Sequence, residues 1–152
     1  AAASEWTTSI TKLSDETVTA DTTLQDDDEL FFSVGADETW YIQMLLVYSG
    51  NAVGTEFKFT ATHPAGRGVY QTTYNNTADG IQSSGTRVSD GSNSLSTFAA
   101  GTRALITTYE QLQMYIVLSF NTGGTFQVQH ANNASGVTTL KAGSVLRGKK
   151  LR

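Results

Sequence analysis

Apolar and polar residues alternate with a period of two along most of the chain. Phe57, Phe59 and Ala61 alternate with Glu56, Lys58 and Thr60. Leu112, Met114, Ile116, Leu118 and Phe120 alternate with Gln113, Tyr115, Val117 and Ser119, and Phe126 and Val128 with Thr125, Gln127 and Gln129. Successive side chains of a strand point to opposite faces, so each run predicts a strand with one buried and one wet face. The glycines of Asn121-Thr122-Gly123-Gly124 can supply a positive φ, which predicts a hairpin between the last two strands. Trp40 to Tyr48 differs: Trp40, Ile42, Met44, Leu46 and Tyr48 share one face, yet Tyr41, Leu45 and Val47 make the other face apolar too. Such a strand is either central and overlain by a loop, or covered by another subunit.

Shorter strands are expected at Thr17–Thr19, Leu30–Val34, Gly68–Tyr74, Gly85–Ser89, Arg103–Tyr109, Val137–Leu140 and Ser144–Leu151, separated by Gly- and Asn-containing turns such as Ala65-Gly66 and Ala142-Gly143. No segment holds a helical period. The pattern predicts an all-β fold, an antiparallel β-sandwich of jelly-roll-like type. Residues 1–16 hold only Trp6, Ile10 and Leu13 as large apolar anchors and read as an extended N-terminal arm, with residues 17–152 forming one sandwich domain. Asn75 to Ala100 reads as long loops interrupted by short strands.

A length of 152 residues suits one core, and the absence of cysteine excludes disulfides, thiol catalysis and thiolate-bound metals. The longest uninterrupted apolar stretch, Met44 to Tyr48, is too short to span a bilayer, and the first residues lack the pattern of a signal peptide, so a soluble chain is expected. The net charge of −4 hides an asymmetry: residues 1–110 carry 14 acidic and five basic residues, the last 42 five basic and none acidic. Arg147, Lys149, Lys150 and Arg152 crowd the end, where they can meet nucleic acid or an acidic protein surface, or keep an edge strand from aggregating. The acidic body repels phosphate and favours the protein surface or the solvated strand.

Candidate chemistry is sparse. His63 and His130 sit at no metal-ligand spacing and in no catalytic motif, and read as structural or surface residues. No nucleophile elbow or phosphate-binding glycine loop occurs. Asp26-Asp27-Asp28-Glu29 lacks the glycine and terminal glutamate of a calcium loop and reads as a solvated turn. Glu5, Asp15 and Glu16 could pair with basic residues of a neighbour. Asn75-Asn76-Thr77 and Asn133-Ala134-Ser135 match the glycosylation sequon, as chance allows in a chain rich in these residues. Tyr70, Tyr74 and Tyr109 could form a sugar-stacking platform or cap the core. No catalytic, cofactor or metal site is expected.

Glu16 to Leu30, with its Leu24-Gln25-Asp26-Asp27-Asp28-Glu29-Leu30 run, resembles small β-rich virion proteins of tailed bacteriophages and prophages. The resemblance continues through Trp40–Gly50, Phe57-Lys58-Phe59 to Gly66, and Val137–Arg147, under half of the chain. It implies a capsid decoration, or cement, protein: a homotrimer on the outer surface of the capsid that binds the major capsid protein and braces capsomer junctions. Neither nucleic acid nor membrane is implied as a partner, and no catalytic residues are implied. The rival is a tail-fibre, receptor-binding or carbohydrate-binding sandwich. The residues expected to make capsid or subunit contacts are Trp6, Ile10, Leu13, Tyr41, Leu45, Val47, Arg147, Lys149 and Lys150.

Overall fold

The computed structural model describes residues 5–50, 56–76, 80–101, 110–132 and 136–152, and every regular element among them is a strand. In chain order these are β1 (Thr8–Thr11), β2 (Glu16–Thr19), β3 (Gln25–Val34), β4 (Thr39–Gly50), β5 (Glu56–Asn76), β6 (Gly80–Ser94), β7 (Phe98–Gly101), β8 (Glu110–Phe120), β9 (Gly124–Asn132), β10 (Val137–Leu140) and β11 (Val145–Lys150). All pairings are antiparallel, and the main path runs β1-β11-β4-β8-β5-β9-β3.

The 21-residue β5 makes two layers out of this path. Its first part, Phe57–Thr62, pairs with β9, and its second, Gly66–Thr73, with β8. Its pairing with β6 shifts register between Thr62 and Gly66, around Pro64, whose missing N–H suits a break in a ladder. One layer is β1-β11-β4-β8-β5-β6, and the other is β7-β5-β9-β3. β10 pairs with the end of β4 and carries β2 at its edge. Aromatic rings bridge the layers: Phe32 lies 5.1 Å from Trp40 and Tyr48 4.8 Å from Phe57, while Phe32 also stacks on its cross-strand partner Phe126 at 5.5 Å. The molecule is thus an all-β sandwich in which β4 is central, with Ile42, Met44, Leu46 and Tyr48 fully buried.

Several local expectations change. The hairpin across Asn121–Gly124 does not form, because β8 pairs with β4 and β5 whereas β9 pairs with β3 and β5. The turn instead carries the chain between layers, fixed by Phe120 N–H donating to Glu38 O (2.8 Å) and Asn121 N–H to Ala65 O (2.7 Å). Its glycines permit a tight turn but do not choose the partner strand. The Ala65-Gly66 turn is the corner within β5, and β6 runs as one long strand through the region read as loops. Asp26–Glu29 lies inside β3, where the register against β9 slips between Asp26 and Phe31 and Asp27 is buried. Residues 8–11, read as part of an extended arm, form an edge strand on β11 of the same chain, with Ile10 packed against the core. Tyr70 is buried, with its hydroxyl accepting from Ser96 N–H (2.9 Å), and Tyr74 packs on Phe59 and Phe98, so both cap the core. Tyr109 and the expected strand Arg103–Tyr109 lie outside the described residues.

Beyond the corner, β5 and β8 approach so closely that a Cβ at Gly68 would sit 1.9 Å from Val117 O, whereas one at Gly85 in β6 would meet nothing within 4 Å. Gly68→Ala should therefore lower unfolding free energy by about 3 kcal/mol or abolish folding, and Gly85→Ala should change it by less than about 0.5 kcal/mol, as read by urea denaturation.

Candidate functional site

Two assemblies of side chains stand out, one on the outer surface of the larger layer and one buried beneath its N-terminal edge. On the surface, strand register places Lys149, Tyr41, Val117, Val69 and Arg87 in one row across β11, β4, β8, β5 and β6. Paired residues of an antiparallel sheet share a face, so this row points away from the core. Val69 is 55% and Val117 39% exposed. Trp6 stacks on Tyr41 with centroids 5.8 Å apart, and the Arg147 guanidinium lies 5.1 Å from the Trp6 centroid. This arrangement combines ring stacking with cation–π attraction. Arg67, Val69, Arg87 and Val117 line an open groove at the other end of the row, with Asp90 at its edge bonded to Asn121 Nδ2 (3.2 Å).

The structure thus gathers Trp6, Tyr41 and Arg147 in one contact, puts Leu45, Val47 and Lys149 on the same face, and separates the other three expected contact residues. Ile10 turns inward to the core. Lys150 projects to the opposite face and pairs with Glu38 (2.6 Å). Leu13 is exposed in the turn after β1. Val69, Val117, Arg67 and Arg87 are not among the contact residues expected from the sequence, because only the register of β5 on β8 and β6 brings them beside Tyr41.

The buried assembly centres on Lys12, which is 2% exposed. Its backbone is fixed by Lys12 N–H donating to Ser144 O and Gly143 N–H to Lys12 O, both 2.8 Å, at the turn between β10 and β11. Its ammonium lies 2.7 Å from Asp27 Oδ2, 3.3 Å from Glu16 Oε2 and 3.4 Å from Glu29 Oε1. Asp27 Oδ1 accepts from Glu29 N–H (2.8 Å) and Leu30 N–H (2.7 Å), which satisfies backbone donors freed by the irregular register. Gln127 Nε2 donates to Asp27 O across the same irregularity (2.9 Å). Glu29 accepts from Leu13 N–H, Ser14 N–H and Ser14 Oγ, and Asp15 pairs with Lys141 (2.6 Å). Asp15 and Glu16 therefore find partners within the chain. The fully buried His130 ring stacks on Phe57, with Nε2 3.6 Å from Glu16 Oε1 and 3.8 Å from Asp27 Oδ2.

Burial alone would pull Lys12 down, but the hydrogen bond and charge of Asp27, then those of Glu16, hold its pKa above the ordinary value. Burial pushes Asp27 up, yet its bonds to Lys12 and to the amides of Glu29 and Leu30 win and leave it lowered. Glu16 is raised by burial and by the neighbouring Asp27. Burial drives His130 down to about 4, partly opposed by Asp27. Glu16, Asp27 and His130 are the described residues grouped tightly enough to hold a metal ion. They lie far apart in sequence, so no local spacing announces them.

No family model matches the chain, and no curated protein matches it. Solved structures of infectious bursal disease virus, the Gt and Gx strains, align with 93% of this chain at 11% identity, with TM-scores of 0.30 and 0.28. A mutant VP2 protein of that virus aligns at 12% identity with a TM-score of 0.22. The chain spans 38% of the length of these structures. Likenesses this slight fix neither lineage nor role.

The depressed His130 gives stability a defined pH dependence. Between the ordinary value of 6.5 and about 4, the unfolded chain takes up a proton that the buried ring refuses, so stability falls as pH drops through this window. At about 1.4 kcal/mol per pKa unit, the loss is on the order of 3 kcal/mol, partly offset by the raised Glu16, which acts in the opposite sense. Urea unfolding from about pH 7 to about pH 4 should show this decline, and His130→Gln should flatten it.

Proposed function

We propose that the chain is a structural protein of a virion, specifically a bacteriophage capsid decoration protein that binds the outer capsid surface and braces capsomer junctions without catalysis. The observation that carries this reading is the outer row of Tyr41, Val117 and Val69, an apolar strip flanked by Lys149 and Arg87, with Arg67 and Arg147 nearby, on a chain of net charge −4. Apolar centres rimmed by arginine suit a protein interface. The resemblance of the Leu24–Leu30 run and its companion segments to phage virion proteins supplies the particle. The contact face belongs to the folded sheet, and Trp6 joins it by stacking on Tyr41. The partners are the major capsid protein and further copies of the chain as a homotrimer, with neither nucleic acid nor membrane involved. The rival sugar-binding reading loses support from Tyr70 and Tyr74, which pack in the core rather than on a platform.

Mixing the purified chain with undecorated capsids should give saturable co-sedimentation. Val69→Asp combined with Val117→Asp should leave circular dichroism unchanged and weaken attachment by about a hundredfold, since the interface would bury two unpaired carboxylates. Wild-type attachment by the double variant would exclude this face, and retention on host cells or glycans with no capsid binding would favour the rival. Light scattering after size exclusion should show a trimer, and a monodisperse monomer at tens of micromolar, about the range of ordinary association, would contradict self-assembly.

A further inference from the structure

We propose that Glu16, Asp27 and His130 form a binding site for one divalent transition-metal ion of the zinc class, fastening β2, β3 and β9 together beside Lys12. The fully buried His130 directs Nε2 at Glu16 Oε1 and Asp27 Oδ2, 3.6 and 3.8 Å away, while neither ring nitrogen has a hydrogen-bond partner among the described residues. A buried imidazole without partners is costly, and metal ligation is one way to satisfy it. Zinc bonds of about 2.0–2.2 Å at tetrahedral angles set ligand atoms about 3.4 Å apart; His130 Nε2 already stands within a few tenths of an ångström of that spacing from each carboxylate oxygen, and the three ligand atoms all lie within 4.8 Å of one another.

Charge points the same way. One ammonium faces three carboxylates, those of Asp27, Glu16 and Glu29, which leaves two negative charges when all are ionised. A divalent cation supplies the missing charge with Lys12 retained. Lys12 reaches Oε2 of Glu16, whereas His130 faces Oε1, so the ammonium and the metal would use different oxygens of that carboxylate. They would share Asp27 Oδ2, and mutual repulsion would move the ammonium toward Glu29. Burial keeps His130 in the neutral form a metal needs. The Glu16 and Glu29 side chains are 21% and 23% exposed and offer the ion a way in. One imidazole with two carboxylates selects zinc-like ions over calcium or magnesium, which prefer all-oxygen shells.

The full chain, stripped with a chelator, is titrated calorimetrically with zinc chloride near neutral pH. The expected result is one ion per chain, weakened at least about tenfold in His130→Gln and tightened in Lys12→Met, where the competing charge is gone. Calcium chloride should give no saturable heat. In the unaltered chain, ¹⁵N signals of the His130 ring should move with one equivalent of zinc while those of His63 stay in place. That reading decides the matter if either variant fails to fold. Absence of one-to-one binding to the unaltered chain, binding that His130→Gln leaves unchanged, or unmoved His130 signals would each overturn the proposal.

Discussion

A lysine ammonium enclosed by carboxylates, beneath the edge where the N-terminal strand joins the sandwich, constrains much of this structure. A charge removed from water costs several kcal/mol unless it is paired, and removing one partner of a buried pair typically costs about 3–5 kcal/mol. Lys12 can be buried only where Asp27 meets it. Asp27 occupies that position through the register slip in β3, whose free amides its other oxygen accepts. Glu29, two residues on, reaches the same ammonium and holds the turn at Leu13 and Ser14. The acidic run is therefore a clasp that seats the end of β1.

The clasp has a consequence on the opposite surface. With Lys12 buried and its backbone bonded to the β10–β11 turn, residues 8–11 must run along β11, and Trp6 is delivered over Tyr41 beside Arg147. The N-terminal segment thus contributes an internal ion pair at one end and an aromatic contact at the other. The central strand β4 links them: its inward residues fill the core, while Tyr41, Leu45 and Val47 form part of the outer face. The same alternation that builds the sandwich leaves this apolar strip on its outer surface.

The sandwich was legible in the sequence because two-residue periodicity reports directly on a half-buried strand, as in Leu112–Phe120 and Phe126–Val128. Pairing was less legible: Gly123 and Gly124 announce a turn, but which layer the chain enters next depends on hydrogen bonds at Glu38 and Ala65, far away in sequence. Asp27 was misread for a related reason. An aspartate in an acidic run has the composition of a solvated turn, and only the arrival of Lys12 makes its burial tolerable. Trp6, Tyr41 and Arg147 were recognisable one by one as unusual surface candidates, whereas Val69 and Val117 look like ordinary strand residues until register sets them in one row. His130 gave no signal, since its neighbours Glu16 and Asp27 approach through tertiary contacts.

The role of the clasp is tested most directly by hydrogen exchange on Lys12→Met, followed amide by amide. Loss of the ammonium should accelerate exchange in β1 and at Leu13 and Ser14 by about a hundredfold more than in β4 and β8, since local opening would no longer require breaking the buried pair. Uniform acceleration throughout the sandwich, or β1 amides as protected as in the parent chain, would contradict the account.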